Sequence, residues 1–196
     1  MTVVLAILLA ASSVSVPLPR CAITGESTDA DVEGLRVRAV PAMQGAVVGR
    51  LYPGMDPEVF YHDERPSPAE GLVGAMFTVD AVDGDWLHIA DIDPVTDGLG
   101  PDGSLQPVAN YQGAGWVHAS KVRLIPGNST ILREQPREAS KPMTGGWPAD
   151  ARIIACSGSW AAIRLDGNKV GWVPSRSNRA RVSKIRAAVR AEAQAR

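Results

Sequence analysis

Thiol and imidazole groups are the first candidates for chemistry in this chain, because a cysteine beside a histidine can act as an activated nucleophile. The chain holds two cysteines and three histidines, and Cys156 with His88 or His118 is the pair to consider. Cys156 ends the apolar run IIAC, which predicts the end of an interior strand and favours a structural thiol or a disulfide. An enzyme would also need a positioned base and an orienting group, so we expect no catalytic residues and no enzyme.

Metal ligation is the second possible chemistry. The run DIDPVTDG brings Asp91, Asp93 and Asp97 together, and hard carboxylate oxygens suit Ca²⁺. The spacing is not that of an EF-hand and Pro94 interrupts it, so we expect a solvated acidic loop. No Cys or His pairs occur at zinc-binding spacing. The sequence therefore predicts no metal and no cofactor.

Aromatic side chains are the stronger candidates for function. Large aromatic faces can line a groove for a peptide or a glycan, or they can fill the cores of small domains, which bury little surface. The sequence leaves both uses open. The candidate ligand-binding residues are Trp86, Trp116, Trp160, Trp172, Tyr52 and Tyr111. Trp147, before Pro148, is a separate candidate for an exposed contact.

The repeat around these tryptophans shows which elements position them. Each copy has an apolar residue, Arg, two further residues and Pro, then a strand, a Gly-containing turn, W-x-x-I and a closing GWV. The copies read VRAVP, FTVDAV, DGDWLHI and GWV in residues 37–117, and LREQP, ARIIAC, SGSWAAI and GWV in residues 132–173. In the second copy AAIRL alternates between two faces and DGN supplies a turn, which predicts a β-hairpin carrying one tryptophan on each arm. Insertions 53–74 and 93–113 in the first copy are rich in Gly, Pro and Asp and predict surface loops.

The two ends of the chain differ from its middle. Val3–Ala11 is an apolar run followed by small residues near Ser13 and Ser15, which predicts a secretory signal rather than a membrane span. Most of the 21 acidic residues lie in residues 26–102, whereas residues 176–196 hold seven bases and one acid. This basic tail has apolar residues spaced three and four apart, which predicts a short amphipathic helix. It is either a solvated helix end or a contact for an anionic surface.

Export would allow the two cysteines to pair. Cys21 and Cys156 are then a candidate disulfide, because disulfides persist in oxidising compartments. The alternative is two unrelated buried thiols.

The ordered set of VRxxP, W-x-x-I and GWV, present twice, resembles the bacterial SH3 domain, and the second copy at residues 131–176 is the closer match. The chain is also similar to small exported proteins of Gram-negative bacteria that carry two such copies. The resemblance implies SH3-like β-barrels without intrinsic catalysis and, in many members, binding to peptidoglycan or its peptides.

We therefore expect an all-β protein of two SH3-like β-barrels in tandem, the first with long loop insertions, followed by a short C-terminal helix. The expected organisation is a signal peptide at 1–20, a first domain at 21–125, a second at 126–176 and a basic helical tail at 177–196. The expected function is non-catalytic binding at the bacterial cell envelope, in the periplasm or outside the cell, with peptidoglycan peptide as the ligand. An adaptor or inhibitor that binds an envelope protein or an anionic surface through its acidic loops and basic tail is the alternative. Nucleic acid is not an expected partner, and no transmembrane segment is predicted.

Overall fold

The computed structural model describes residues 20–31, 33–55, 72–99, 105–127, 131–144, 151–165 and 168–175. Residues 1–19 of the predicted signal peptide, the basic tail and Trp147 lie outside these ranges.

The described residues form an all-β fold, as expected, with a single short 3-10 helix at Ala119–Lys121 among them. No helix in this part of the chain is long and apolar enough to cross a membrane. In the first part of the chain the strands are β1 (Ile23–Ser27), β2 (Leu35–Arg38), β3 (Val47–Leu51), β4 (Gly54–Met55), β5 (Leu72–Val73), β6 (Met76–Asp83), β7 (Trp86–Ala90), β8 (Val95–Leu99), β9 (Leu105–Ala109), β10 (Gly115–His118) and β11 (Val122–Leu124). The remaining strands are β12 (Ile153–Ser157), β13 (Trp160–Arg164) and β14 (Val170–Pro174).

Seven strands between residues 21 and 125, which include the first copy, form one antiparallel sheet in the order β11-β1-β6-β7-β10-β2-β3. One face of this sheet carries the core, where Phe77, Val79, Leu87, Ile89 and Val117 are completely buried. These residues recur at every second position of β6, β7 and β10, as expected for strands with one buried face. Among the described strands, β11 and β3 are the outermost of this sheet and are not paired with each other.

The second copy forms a three-stranded antiparallel sheet in the order β12-β13-β14. The predicted hairpin is confirmed, since β13 pairs with β14 along its whole length and carries Trp160, while β14 carries Trp172. Ala161, Ile163 and Val173 fill its inner face.

The two copies have the same local construction, which goes further than the sequence pattern alone. In both hairpins the first tryptophan lies opposite the residue two positions after the second tryptophan. In both copies the strand before the first tryptophan also has a register shift that begins seven residues before that tryptophan. The matching pairs are Trp86–His118 with Trp160–Pro174, and the matching shifts are Val79/Ala81 with Ile153/Ala155. The two copies are therefore repeats in backbone hydrogen bonding as well as in sequence.

The turn that follows each apolar–Arg pair is also repeated. Arg38 Nη1 donates to the Gly45 carbonyl at 2.7 Å, and Arg133 Nη1 donates to the Ser140 carbonyl at the same distance. Both arginines lie seven residues before the carbonyl that they bind. The repeated seven-residue spacing between the arginine and the carbonyl thus has a structural cause, because each guanidinium bonds a carbonyl at the far end of its own turn and closes that turn.

The two insertions of the first copy are more regular than predicted. The sequence predicts surface loops, but β8 and β9 form an antiparallel ladder from Val95–Ala109 to Leu99–Leu105, and β4 pairs with β5. Gly, Pro and Asp dominate the composition of these segments, yet short β-branched stretches such as Val95-Thr96 remain and pair locally.

The two sheets are joined by a disulfide and by backbone contacts. Cys21 and Cys156 form the predicted disulfide, with their Cα atoms 5.6 Å apart. Next to it, the Ala22 N–H donates to the Gly158 carbonyl at 2.8 Å. At the opposite edge of the second sheet, directly after β14, Ser175 Oγ accepts from the Thr24 N–H at 2.8 Å and donates to the Ile125 carbonyl at 3.0 Å. Because Thr24 lies on β1, the second copy is attached to the strand next to the outermost strand β11 of the first sheet.

Candidate functional site

Four aromatic rings lie together on the outer face of the first sheet. Trp86 and His88 on β7 alternate with buried core residues, as do Trp116 and His118 on β10. All four are half-buried. The antiparallel register places Trp86 opposite His118 and His88 opposite Trp116, so that each tryptophan faces an imidazole.

Both ring pairs have edge-to-face geometry. The ring centroids of Trp86 and His118 are 5.3 Å apart at an interplanar angle of 87°, and those of His88 and Trp116 are 5.0 Å apart at 66°. This arrangement directs the edge of one ring at the π face of the other, which is a favoured aromatic contact. We call these four side chains the ring face.

Hydrogen bonds fix the orientation of both imidazoles. His88 Nδ1 lies 2.5 Å from Asp80 Oδ1 on the neighbouring strand β6. His118 Nδ1 lies 2.7 Å from Ser120 Oγ and accepts from the Ser120 N–H at the start of the 3-10 helix. The contacts use Nδ1 in each ring, so each imidazole is held through one nitrogen while its other edge packs against tryptophan.

A groove of about 380 Å³ opens beside the ring face. Trp86 and His118 form part of its wall, and Met43 from the turn between β2 and β3 is another lining residue. Arg36 and Lys121 bring positive charge to the same groove.

Acidic residues balance part of this charge. Asp29 and Asp31 also line the groove, and Lys121 Nζ lies 3.1 Å from Asp29 Oδ1. Arg36 lies 3.9 Å from Glu33, with both side chains more than half exposed. Exposed pairs of this kind are weak and are screened by salt, so either partner can exchange its contact for a ligand. The groove therefore offers charges of both signs beside an aromatic wall.

The second sheet keeps the tryptophans of this arrangement without the histidines. Trp160 lies opposite Pro174, and Trp172 lies opposite Ala162. Both tryptophans are half-buried and alternate with core residues. All four hairpin tryptophans thus lie on the outer faces of their sheets, which answers the question of core or surface that the sequence left open.

The two candidate tyrosines lie away from the groove. The Tyr52 N–H donates to Asn110 Oδ1 at 2.8 Å. Tyr111 packs over Gly49, where a Cβ atom would lie 2.1 Å from the tyrosine ring, and its hydroxyl contacts the Ala114 carbonyl at 3.4 Å. These contacts attach the β8–β9 insertion to β3. The described lining of the groove includes neither tyrosine.

From the sequence, His88 and His118 were candidates only as partners of a thiol. Their place in the ring face was not predicted. The signal was present as the motif W-x-H, which occurs at Trp86-Leu87-His88 and again at Trp116-Val117-His118. Because strand side chains alternate between faces, each motif places its tryptophan and histidine on one side. Two such strands paired in antiparallel register bring each tryptophan opposite a histidine.

Cys156 is part of the disulfide, and a disulfide sulfur is not the thiolate that a nucleophile requires. Among the described side chains no three Asp, Glu, His or Cys residues are grouped as a metal site would need.

Comparison of the chain with models of protein families, with curated proteins and with solved structures found no match.

Proposed function

We propose that this chain is a non-catalytic binding protein of the bacterial cell envelope, built from two SH3-like units, and that it recognises peptidoglycan peptide through the ring face and the adjoining groove. The resemblance of the repeated motifs to bacterial SH3 domains supports the choice of ligand. The shared register and the shared Arg-anchored turn support the division into two units of one kind.

The observation that carries the proposal is the pairing of half-buried tryptophans and histidines beside the groove. The core of the first sheet lies on its opposite face, so these rings are not required to fill it. The second hairpin forms in the same register with Pro174 and Ala162 at the two histidine positions. The histidines are therefore not needed to fold such a hairpin, and a binding role accounts for their presence.

The charges of the groove suit a peptide that carries both an amine and a carboxylate. Asp31 can meet an ammonium group, while Arg36 and Lys121 can meet a carboxylate by charge-assisted hydrogen bonds. Trp86 and Met43 supply the apolar contact between these charges. A few polar groups placed around an apolar wall are typical of ligand sites.

The disulfide supports an extracytoplasmic location for this function. Disulfides are typical of oxidising compartments such as the periplasm and the extracellular space. Together with the predicted signal sequence, it underlies the proposal that the protein is exported.

Co-sedimentation of the chain with purified peptidoglycan sacculi over a series of salt concentrations tests the proposal. We expect pelleting that persists at moderate salt, because the aromatic contact is not screened. Truncating a binding hot spot costs about 2 kcal/mol, roughly a 30-fold loss of affinity, and we expect a loss of this size for Trp86→Ala.

Trp160→Ala is the matched variant, because Trp160 has the same register position in the second hairpin. A loss confined to Trp86→Ala assigns the contact to the ring face, whereas equal losses assign it to both hairpins. Thermal unfolding of each variant checks that the fold is retained. Absence of pelleting, or pelleting that moderate salt abolishes, would contradict peptidoglycan as the ligand.

A further inference from the structure

Exposed apolar side chains are concentrated in the turn between β2 and β3 and at the start of β3. Val40, Met43, Val47 and Val48 are exposed by 49, 68, 46 and 41%. They account for four of the six large hydrophobic residues that are exposed in the described part of the chain. We call residues 39–49, which contain no charged residue, the apolar tip.

The second unit shows that the fold does not require apolar residues at this turn. Its corresponding turn has the same internal bonds, since the Glu134 N–H donates to the Lys141 carbonyl as the Ala39 N–H donates to the Ala46 carbonyl. At the positions of Val40 and Met43 it has Gln135 and Glu138, both exposed. Polar residues at these two positions are therefore compatible with the same backbone, whereas Val47 and Val48 correspond to the apolar Pro142 and Met143. The exposed Val40 and Met43 thus extend an apolar patch that indicates an interaction surface.

Part of the backbone of the apolar tip is satisfied from within. The N–H groups of Ala39, Ala42 and Gly45 donate to carbonyls of the tip at 2.8–2.9 Å. The Gly45 carbonyl accepts from Arg38, and Pro41 has no N–H to satisfy. The tip can therefore enter an apolar medium without leaving these groups unpaired, which is the main requirement for protein backbone at a membrane.

Positive charge surrounds the base of the apolar tip. Arg36, Arg38 and Arg50 are the charged residues of residues 35–51, and this range contains no acid. Glu33, just before it, lies 3.9 Å from Arg36 and 3.5 Å from Arg50, while Asp29 and Asp31 line the groove that Arg36 shares with Lys121. Four bases, Arg36, Arg38, Arg50 and Lys121, therefore stand against three acids, which leaves an excess of one positive charge. Basic residues beside an apolar segment complement anionic lipid headgroups.

We propose that the apolar tip inserts into the boundary between headgroups and acyl chains of an anionic lipid surface, with Arg36 and Arg50 against the phosphates. A turn with aliphatic side chains suits a fluid apolar medium, whereas a protein partner would have to supply a pocket shaped to it. Trp86 lines the same groove as Met43 and would lie near the interface, where tryptophan is enriched. Met43 and Arg36 also line the groove proposed above for the peptide, so a lipid surface and the peptide would compete for these two side chains. The proposal of lipid contact rests on the apolar tip and not on the ring face.

A fluorescent probe at the tip tests the insertion directly. Both native cysteines are in the disulfide, so Met43→Cys can carry an environment-sensitive dye in the full chain. Glu138→Cys carries the same dye at the corresponding position of the second unit as the matched control. Each labelled protein is mixed with vesicles of phosphatidylcholine alone, or of phosphatidylcholine and phosphatidylglycerol.

We expect the emission of the Met43 probe to shift to the blue and to increase with the anionic vesicles, with a smaller change at high salt, while the Glu138 probe stays unchanged. Unlabelled protein with Val40→Gln and Met43→Glu, the residues of the second unit, should float with anionic vesicles at least tenfold less than the wild type. Val170→Gln, which removes an exposed valine of the second unit, should have no such effect.

Equal changes at both probes, or vesicle binding that the double substitution leaves intact, would assign lipid contact to another part of the chain and overturn the proposal. A Met43 probe that becomes shielded without vesicles as protein concentration rises would assign the tip to a protein contact instead. Vesicles contain no peptidoglycan, so this experiment can fail while sacculus binding succeeds, and the reverse.

Discussion

At the scale of single residues, two glycines have the same conformational role in the two hairpins. Gly84 has φ of +56° and Gly158 has φ of +55°, and each lies in the turn just before its tryptophan strand. A Cβ atom at either position would have no neighbour within 4 Å. The requirement for glycine there is therefore set by the backbone angle and not by space.

Gly84→Ala and Gly158→Ala should each lower the free energy of unfolding by about 1–2 kcal/mol, because an L-residue is disfavoured in the left-handed region. Gly→Asn at the same positions should cost less, since asparagine tolerates this region better. Urea unfolding midpoints measure both effects. An alanine variant as stable as the wild type would show that the turn relaxes to another conformation.

At the scale of elements, a buried amide helps to attach the second insertion to the first sheet. Asn110 Oδ1 accepts from the Tyr52 N–H at 2.8 Å, and Asn110 Nδ2 donates to the Asp93 carbonyl at 3.1 Å. Asn110 is only 5% exposed and follows β9 directly. The β8–β9 ladder is thereby held against the end of β3, next to the tyrosine contacts described above.

Asn110→Ala should destabilise the protein by about 1–3 kcal/mol, because the half-buried Tyr52 N–H loses its acceptor and the Asp93 carbonyl loses a buried hydrogen bond. Hydrogen exchange should become faster in β8 and β9 before it does in β7. Gln112→Ala is the control, since the Gln112 amide bonds neighbouring carbonyls while exposed to solvent. Uniform acceleration over all strands would show that the insertion is not a separate unit of stability.

At the scale of the whole molecule, the disulfide and Ser175 hold the two repeats together from opposite edges of the second sheet, since Cys156 lies on β12 and Ser175 directly follows β14. Cys21 and Cys156 are 135 residues apart in sequence, so their bond closes most of the described chain into one loop. Ser175 is buried and its hydroxyl contacts both β1 and the residue after β11. The first unit has Ala119 at the corresponding position after its last tryptophan strand, which indicates that the serine serves the junction and not the repeat.

Reduction of the disulfide should lower the free energy of unfolding by about 2–5 kcal/mol, mainly because the unfolded chain gains freedom when so long a loop is opened. Unfolding midpoints with and without reductant give the value. The double variant Cys21→Ser and Cys156→Ser should start at the reduced midpoint and show no response to reductant. A wild-type midpoint that reductant leaves unchanged would contradict a stabilising role.

Much of the fold is local enough to be predicted from the sequence. Alternation in AAIRL and GWV, and the Gly-containing turns, determine the strands and their faces, because a strand repeats every two residues and a tight turn needs particular backbone angles. The strand pairing of the second hairpin could be predicted, since its arms are close in sequence and their pairing depends on few residues. The hairpin of Trp86 and Trp116 has the same register as the second hairpin. Its pairing was harder to predict from the sequence, because the β8–β9 insertion separates its two arms.

Other features depended on the tertiary structure, because they join residues that are distant in sequence. The contact of each histidine with a tryptophan requires this register of β7 against β10, and a slip of one strand by one residue would move its two rings to the core face. The groove needs Met43 from one turn and Lys121 from the 3-10 helix at the same time. The sequence by itself thus determined the strand faces, the repeat and a plausible disulfide, whereas only three-dimensional packing decided which outer-face side chains meet and where the exposed apolar tip stands relative to them.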